Sequence, residues 1–517
     1  MTVHFKQDKP DKTNRLDDMK QGVLGKAFPR VEGLAKVTGT APYAAEYPIA
    51  NCAEGVLVTS TITRGEVTSI DKEAALAMPG VIAVIDDPLL TTRAAQGTAD
   101  EAPQQEPATV CYWGQPIALV VAETFEQARH AAKHIGVEYR EDEGAPIDPQ
   151  AVEHEEQEDE TVRQGDLAHA MAEAAHSVDV TYTTKGHASA AMEPHAAIAE
   201  WDGEKLTVHA SLQMLNYNIS ELADSLDMDE ENIRLISRFV GGGFGSKLGI
   251  SEETVAASIA AKQLGRPVRV VMSRQQVFQC IMRRSETTQR LRLCVDEDGK
   301  LTGFGHQALV SNLPGETFAE PVLQSSHFLY GGENRELLLE VARIHQMTAG
   351  SVRAPGEAVG MPALEGAMDV LAEEAGMDPV ELRLKNIPDK DPEEGLPFSS
   401  HKLAECLKQG AEAFGWEHGP RKPRQTQEGE WWVGTGMASA ARVHNISEAK
   451  ARVTLKADGT AVVETDMTDI GTGTYTVVAQ LAGEMLGLDP EKVLVDLGDT
   501  RNPRGPGSGG SWGASSI

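Results

Sequence analysis

Arg238 to Ile250 reads RFVGGGFGSKLGI. Apolar, strand-forming residues run into four glycines in five positions, Gly241, Gly242, Gly243 and Gly245, and a helical pattern, Glu252–Leu264, follows soon after. A turn without Cβ atoms lets backbone N–H groups approach an anion closely. It is not a phosphate-binding Walker loop, because Lys247 follows Ser246 and precedes Leu248, so no GK[ST] is present. Nor is it GxGxxG, since Ser246 stands where the last glycine belongs. Taken alone, it reads equally well as a tight strand-to-helix turn.

Three further turns share this character. Thr465 to Gln480 (TDMTDIGTGTYTVVAQ) places Gly471, Thr472 and Gly473 between a strand and an apolar helix. That puts N–H groups and threonine hydroxyls at a helix N-terminus, a natural seat for phosphate, although Thr472 or Thr474 could simply be an N-cap. Gly505 to Gly513 (GPGSGGSWG), with Ser508, Gly509 and Gly510, reads by itself as a flexible tail. Gly350 to Glu357 (GSVRAPGE) sets Arg353 on a rigid Ala-Pro-Gly turn before a long helix; a surface arginine is the plain reading. Two weaker features are Glu193 and His195 around Pro194, where a lone histidine is more often structural, and Gln213 just past the strand Lys205–Ala210. An amide at 213 could orient an oxo or carbonyl ligand, or cap a turn.

Outward from these turns, the chain divides by composition. Residues 1–25 are polar. Residues 26–143 carry strands Val56–Thr61, Val81–Ile85 and Pro116–Val121 and an amphipathic helix from Phe125 to Ile135, an α/β signal. Residues 144–160 are rich in carboxylates and read as an exposed acidic linker. Residues 161–420 alternate helices with strands, and a further unit, 421–517, stops after a glycine-rich run without a closing element. The fold class is therefore mixed α/β and α+β, and 517 residues suggest roughly three domains.

Composition sets outer limits. Apolar residues at 41% and charged ones at 24% exclude a disordered chain, a collagen and a small disulfide scaffold. With 78 acidic against 47 basic side chains the net charge is −31, which repels nucleic acid and anionic membrane. The excess suits a salt-adapted surface or an ordinary acidic protein. The longest apolar runs, such as Ile117 to Ala122, are too short to span a bilayer. Met1 to Lys20 has no signal-peptide core, so the expectation is a cytoplasmic protein, or a periplasmic one exported with a partner subunit. Five scattered cysteines with no CxxC offer no iron–sulfur ligand pattern and read as buried free thiols.

The ordered set GKAFPRVEGLAKVTGTAPYAAE, QPIALVVAETFEQA, AMEPHAAIAEWDG, SLQML, GGGFGSK, SVRAPGEAVGMPALEGAMD, MDPVELRLKN, TDMTDIGTGTYTVVAQ and GSGGSWGA covers nearly the whole chain. In that order it resembles the large, molybdopterin-binding subunit of the xanthine dehydrogenase and aldehyde oxidase family. It is most similar to bacterial three-subunit aldehyde oxidoreductases, which use molybdopterin cytosine dinucleotide. The resemblance implies a small α/β hammerhead domain over 26–143, a first molybdopterin-binding domain over 161–420 and the start of a second over 421–517. It implies that Gln213, Phe244, Arg353 and Gly510 lie near molybdenum without ligating it. Gln213 and Arg353 would serve catalysis, and Gly242, Gly243, Gly245, Gly471, Thr472, Gly473, Gln480, Ser508 and Gly509 would hold the cofactor.

The implied reaction is hydroxylation of an aldehyde to a carboxylic acid. A hydroxide on the metal attacks the carbonyl carbon, a hydride passes to a sulfido ligand, and electrons leave through iron–sulfur clusters and FAD on partner subunits. Two departures carry information. Purine-hydroxylating members have a glutamate where Leu248 stands, so this position favours a small aldehyde over a purine, whose polar edge would lose about 1–3 kcal/mol of hydrogen bonding. The family's general-base glutamate falls beyond Ile517, so the resemblance implies a C-terminally truncated chain with no such base; the alternative is a degenerate homologue that binds cofactor or partner subunits without turnover.

Overall fold

The computed structural model describes residues 22–90, 108–398, 400–420, 422–443 and 446–517. The first 21 residues of the polar N-terminal segment lie outside them.

Strand Pro116–Ala122 (PIALVVA) is buried on both faces, as its unbroken apolar run requires. It sits second from one edge of a seven-stranded sheet whose order is Ile233–Ile236, Lys205–Ala210, Ala196–Asp202, Val268–Val271, Ala53–Thr59, Pro116–Ala122, Val81–Ile85. The join is the parallel pairing of Ala53–Thr59 with Val268–Val271, Gly55 facing Val270. A Cβ on Gly55 would lie 2.8 Å from the Val270 side chain, so the join needs glycine. Strands from residues 26–143 and from 161–420 thus share one hydrogen-bonded layer. Helix Glu252–Leu264 is buried along most of its length against this sheet, so its small residues (Ala256, Ala257, Ala260, Ala261) allow close approach.

A second sheet runs His154–Glu156, Asn334–Arg343, Leu301–Asn312, Thr287–Val295, His176–Thr184, with helix Glu357–Glu374 packed on it. A smaller sheet, Arg452–Leu455, Ala461–Glu464 and Val493–Asp496, carries helix Thr474–Leu486 on one face.

Two expectations are corrected here. The acidic stretch 144–160 is not wholly a linker. His154–Glu156 pairs antiparallel with Asn334–Arg343, and Glu155 forms an ion pair with Arg343 (2.7 Å). Backbone pairing is indifferent to side-chain charge, and charged residues suit the edge of a sheet. The five cysteines are not uniformly buried. Cys280 and Cys294 are, Cys52 and Cys111 are half-buried, and Cys406 is exposed on a helix, Leu403–Phe414, whose one buried residue is Leu407.

Candidate active site

The buried Gln213 side chain is the knot of the site. Its carbonyl oxygen accepts from the backbone N–H of Gly245 (3.1 Å), and its amide nitrogen donates to the Ser508 carbonyl (2.7 Å). Its main chain is held as well. The Gln213 N–H donates to Lys247 O (2.7 Å), while the Gln213 carbonyl accepts from Ser508 N–H (2.9 Å) and the Thr468 hydroxyl (3.0 Å). One residue thereby ties the first glycine turn to the strand end before Gly471 and to the Gly505–Gly513 run. That run is not a flexible tail: Gly505 to Ser508 are buried, Gly505 N–H donates to Asp466, and the Trp512 indole donates to Pro506 O (2.7 Å).

The first turn is packed to its limit. A Cβ on Gly243 would collide with the Gln213 carbonyl oxygen, and one on Gly245 (φ +101°) with the Ser351 carbonyl oxygen. Gly242 and Phe244 also adopt positive φ, +94° and +55°. Behind the turn, Lys247 is wholly buried and donates to the Glu193 carboxylate (2.8 Å), which also accepts from Gly241 N–H (2.7 Å). Burial pushes the Lys247 ammonium down in pKa, and Glu193 opposes that shift. His195 donates from Nε2 to Ser246 O (2.9 Å), and burial, aided by Lys247, lowers its pKa to about 3. It is a neutral brace, so the structural reading of this histidine holds.

The Arg353 turn abuts the first one. Arg353 N–H donates to Phe244 O (2.8 Å), and the exposed Arg353 guanidinium stands 6.0 Å from the Phe244 ring centroid. Beneath it the buried guanidinium of Arg284 pairs with Glu320 and donates to the carbonyls of Val352 (3.0 Å), Arg353 and Ala354 (3.4 Å). Glu320 in turn accepts from Gly356 N–H (2.7 Å). Burial raises the Glu320 pKa and Arg284 opposes the shift. No pattern in the sequence announces this pair, nor Glu193–Lys247; buried charges leave no periodicity.

The turn at Gly471–Gly473 joins through its backbone, as Val240 N–H donates to Asp469 O (3.4 Å). The buried Asp469 side chain accepts from Gly471 N–H (2.7 Å) and Gly473 N–H (3.3 Å), so those two donors are already engaged. What faces outward are Thr472, whose hydroxyl meets that of Thr474 (3.2 Å), and Arg30, which donates to Gly471 O (3.0 Å). Sequence reading missed Arg30 and Asp469. Gln480 lies six residues into the helix, about 9 Å along its axis, where it contacts the Lys26 carbonyl (3.4 Å) rather than the turn. Leu248 is buried in the largest apolar cluster, and a Cβ on Gly509 would come within 2.6 Å of it. Gly510 (φ +55°) is packed beneath the Trp512 ring.

The turns meet around Gln213, with glycines at 243 and 245 where side chains cannot fit, and the N–H groups of Gly241, Gly245, Gly471 and Gly473 are engaged within the protein. Among the described residues, no three His, Cys, Asp or Glu side chains cluster to ligate a metal ion.

Comparison with known proteins makes this fold that of a molybdopterin-binding subunit. Residues 38–143 match the aldehyde oxidase and xanthine dehydrogenase a/b hammerhead domain, and residues 121–387 and 409–517 match molybdopterin cofactor-binding domains. The chain belongs to the xanthine dehydrogenase/aldehyde oxidase family of molybdopterin-binding subunits. It is 43% identical to the aldehyde oxidoreductase molybdenum-binding subunit PaoC of Escherichia coli, over 99% of this chain and 70% of that protein. It is 30% identical to the putative xanthine dehydrogenase molybdenum-binding subunit XdhA of the same organism, over 90% and 66% of the two chains. The fold matches the aldehyde oxidoreductase of Desulfovibrio gigas with a TM-score of 0.80 at 24% identity, covering 95% of this chain and 58% of that one. The chain thus spans less than two thirds of that solved relative's length. No described helix is long and apolar enough to cross a membrane.

Proposed function

We propose that this chain holds molybdopterin cytosine dinucleotide and serves, with an iron–sulfur subunit and an FAD subunit, in oxidising small aldehydes to carboxylic acids. The observation that carries the reading is the Gln213 knot, which ties together the first glycine turn, the Thr468 segment before Gly471 and the Gly505–Gly513 run, with Arg353 and Arg30 exposed at its edges. Gly242, Gly243, Gly245, Ser508, Gly509 and Gly510 would border the metal-bearing end. Gly471, Thr472 and Gly473 would border the diphosphate end, with Arg30 beside them, whereas Gln480 lies away from it against the Lys26 carbonyl. When bound, the cofactor supplies a Lewis-acidic, two-electron redox centre.

The chain's own residues position and polarise. Gln213 fixes the first turn against the C-terminal loop. Arg353, held by its backbone to Phe244 O and from below by Arg284, would present an exposed cation to negative charge developing on a substrate oxygen. Leu248 is buried in the apolar core, so it offers a heterocycle no polar partner. The test is elemental and nucleotide analysis of the chain co-expressed with its partner subunits, alongside aldehyde-dependent dye reduction. Molybdenum and CMP released in near-equal amounts, with aldehyde turnover, is the expected result; finding neither metal nor nucleotide overturns the reading.

A further inference from the structure

On the far side of strand Ala53–Thr59 lies a cleft of about 620 Å³, formed by that strand, helix Phe125–Ala132, strand Gly136–Glu141 and the loop and helix around Ser273–Gln279. Its size falls within the range of small-molecule sites. Val56, Val58, Val137 and Tyr139, all half-buried, make its apolar floor. The charged residues lining it are Arg129 and Lys133, four apart along the helical turn and its C-cap, and no carboxylate lines it. That composition is unexpected in a chain with a net charge of −31.

Like charges at this spacing repel. The helix C-terminus tolerates cations, which explains their end of the helix but not the missing counter-charge. Both are exposed, and among the described residues neither Arg129 nor Lys133 has a carboxylate within ion-pair distance, although the protein pairs several of its other arginines and lysines. Gln275 and Gln279 add amide groups to the opposite rim.

We propose that this cleft is a second binding site, separate from the glycine clasp, for an amphipathic organic anion: a carboxylate on a hydrocarbon or aromatic body. The carboxylate is taken by Arg129 and Lys133 and the apolar body lies over Val56, Val58 and Tyr139. Charge complementarity selects this occupant, since a neutral apolar ligand leaves both cations unpaired and a cationic one is repelled.

The proposal is tested by calorimetric titration of the full chain with decanoate, decylammonium and decaglutamate, repeated on the R129E/K133E double variant and on R353A, each checked for native circular dichroism. The expected result is saturable decanoate binding with Kd below about 1 mM. It weakens at least about tenfold in R129E/K133E, is unchanged in R353A, and is absent for decylammonium. Equal binding to the parent chain and R129E/K133E overturns it, as does loss of binding in R353A, which would seat the anion at the clasp. Decaglutamate binding as tightly as decanoate would also overturn it, because the cleft would then read charge without an apolar body. Because these outcomes do not depend on loaded cofactor, they stand apart from the test of aldehyde oxidation.

Discussion

Two glycine-rich turns that look alike in the sequence use glycine for different reasons. In Gly241–Gly245 the neighbours press in, since Cβ atoms at 243 and 245 would strike Gln213 and the Ser351 carbonyl. At Gly471 there is nothing within 4 Å of a Cβ, and the residue is needed for its φ of +101°. One turn is locked by packing and the other is open and conformational. A locked turn keeps its shape with or without a ligand; an open one leaves room beside it. The contrast teaches that the first turn is fixed by its neighbours, whereas the second is fixed by backbone conformation with open space beside Gly471.

The largest expected effect tests the locked turn. Gly245→Ala forces the Ser351 backbone aside and should destabilise the chain by about 4 kcal/mol or prevent folding, read from urea denaturation. Arg353→Ala probes the same turn's outer surface. It should lower aldehyde turnover of the loaded complex roughly 100-fold while leaving the urea midpoint in place, because the side chain is exposed. A moved midpoint would mean that this surface also supports the fold.

Gln213→Ala should cost about 2–3 kcal/mol, since Gly245 N–H and Ser508 O lose a buried partner. The same variant should release cofactor nucleotide from the complex. At the open turn, Gly471→Ala should cost only about 1–2 kcal/mol of backbone strain. If it matches Gly245→Ala, the contrast between the turns is broken.

The smallest effect concerns Asp466, which accepts from Gly505 N–H at the base of the C-terminal loop. Burial raises its pKa to about 6, with the Gly505 hydrogen bond opposing. A carboxyl raised in the folded state lends stability that is full below its ordinary pKa near 3.8 and is lost as pH climbs through 6. Asp466→Asn should therefore be about 1 kcal/mol more stable than the parent at pH 8 and no more stable at pH 4, compared by thermal melts at both.

Much of the architecture was legible. Val81–Ile85, Lys205–Ala210 and Glu252–Leu264 fall where periodicity puts them, because each is a uniform stretch whose side chains alone select the element. The central strand Leu301–Asn312 was missed. It carries Gly303, Gly305, His306 and Gln307, which are poor strand formers. The glycines there make room for Leu167 and Cys294, and His306 bonds to Ser326 and Gln289, neighbours that only the fold supplies. At the site, the sequence marked Gln213, Arg353 and the glycine turns, but not Asp469, Arg30 or the Arg284–Glu320 pair beneath Arg353.

From the order of its residues alone, this protein's family, its glycine-rich turns and its lack of a cysteine ligand pattern could be read, because glycine, proline and cysteine act through their own covalent chemistry. Which carbonyl the Gln213 amide reaches, which charges are buried beneath the Arg353 turn, and which glycines are crowded rather than merely flexible were decided by tertiary structure. Those are contacts between residues as far as 295 positions apart, and such contacts exist only once the chain has closed on itself.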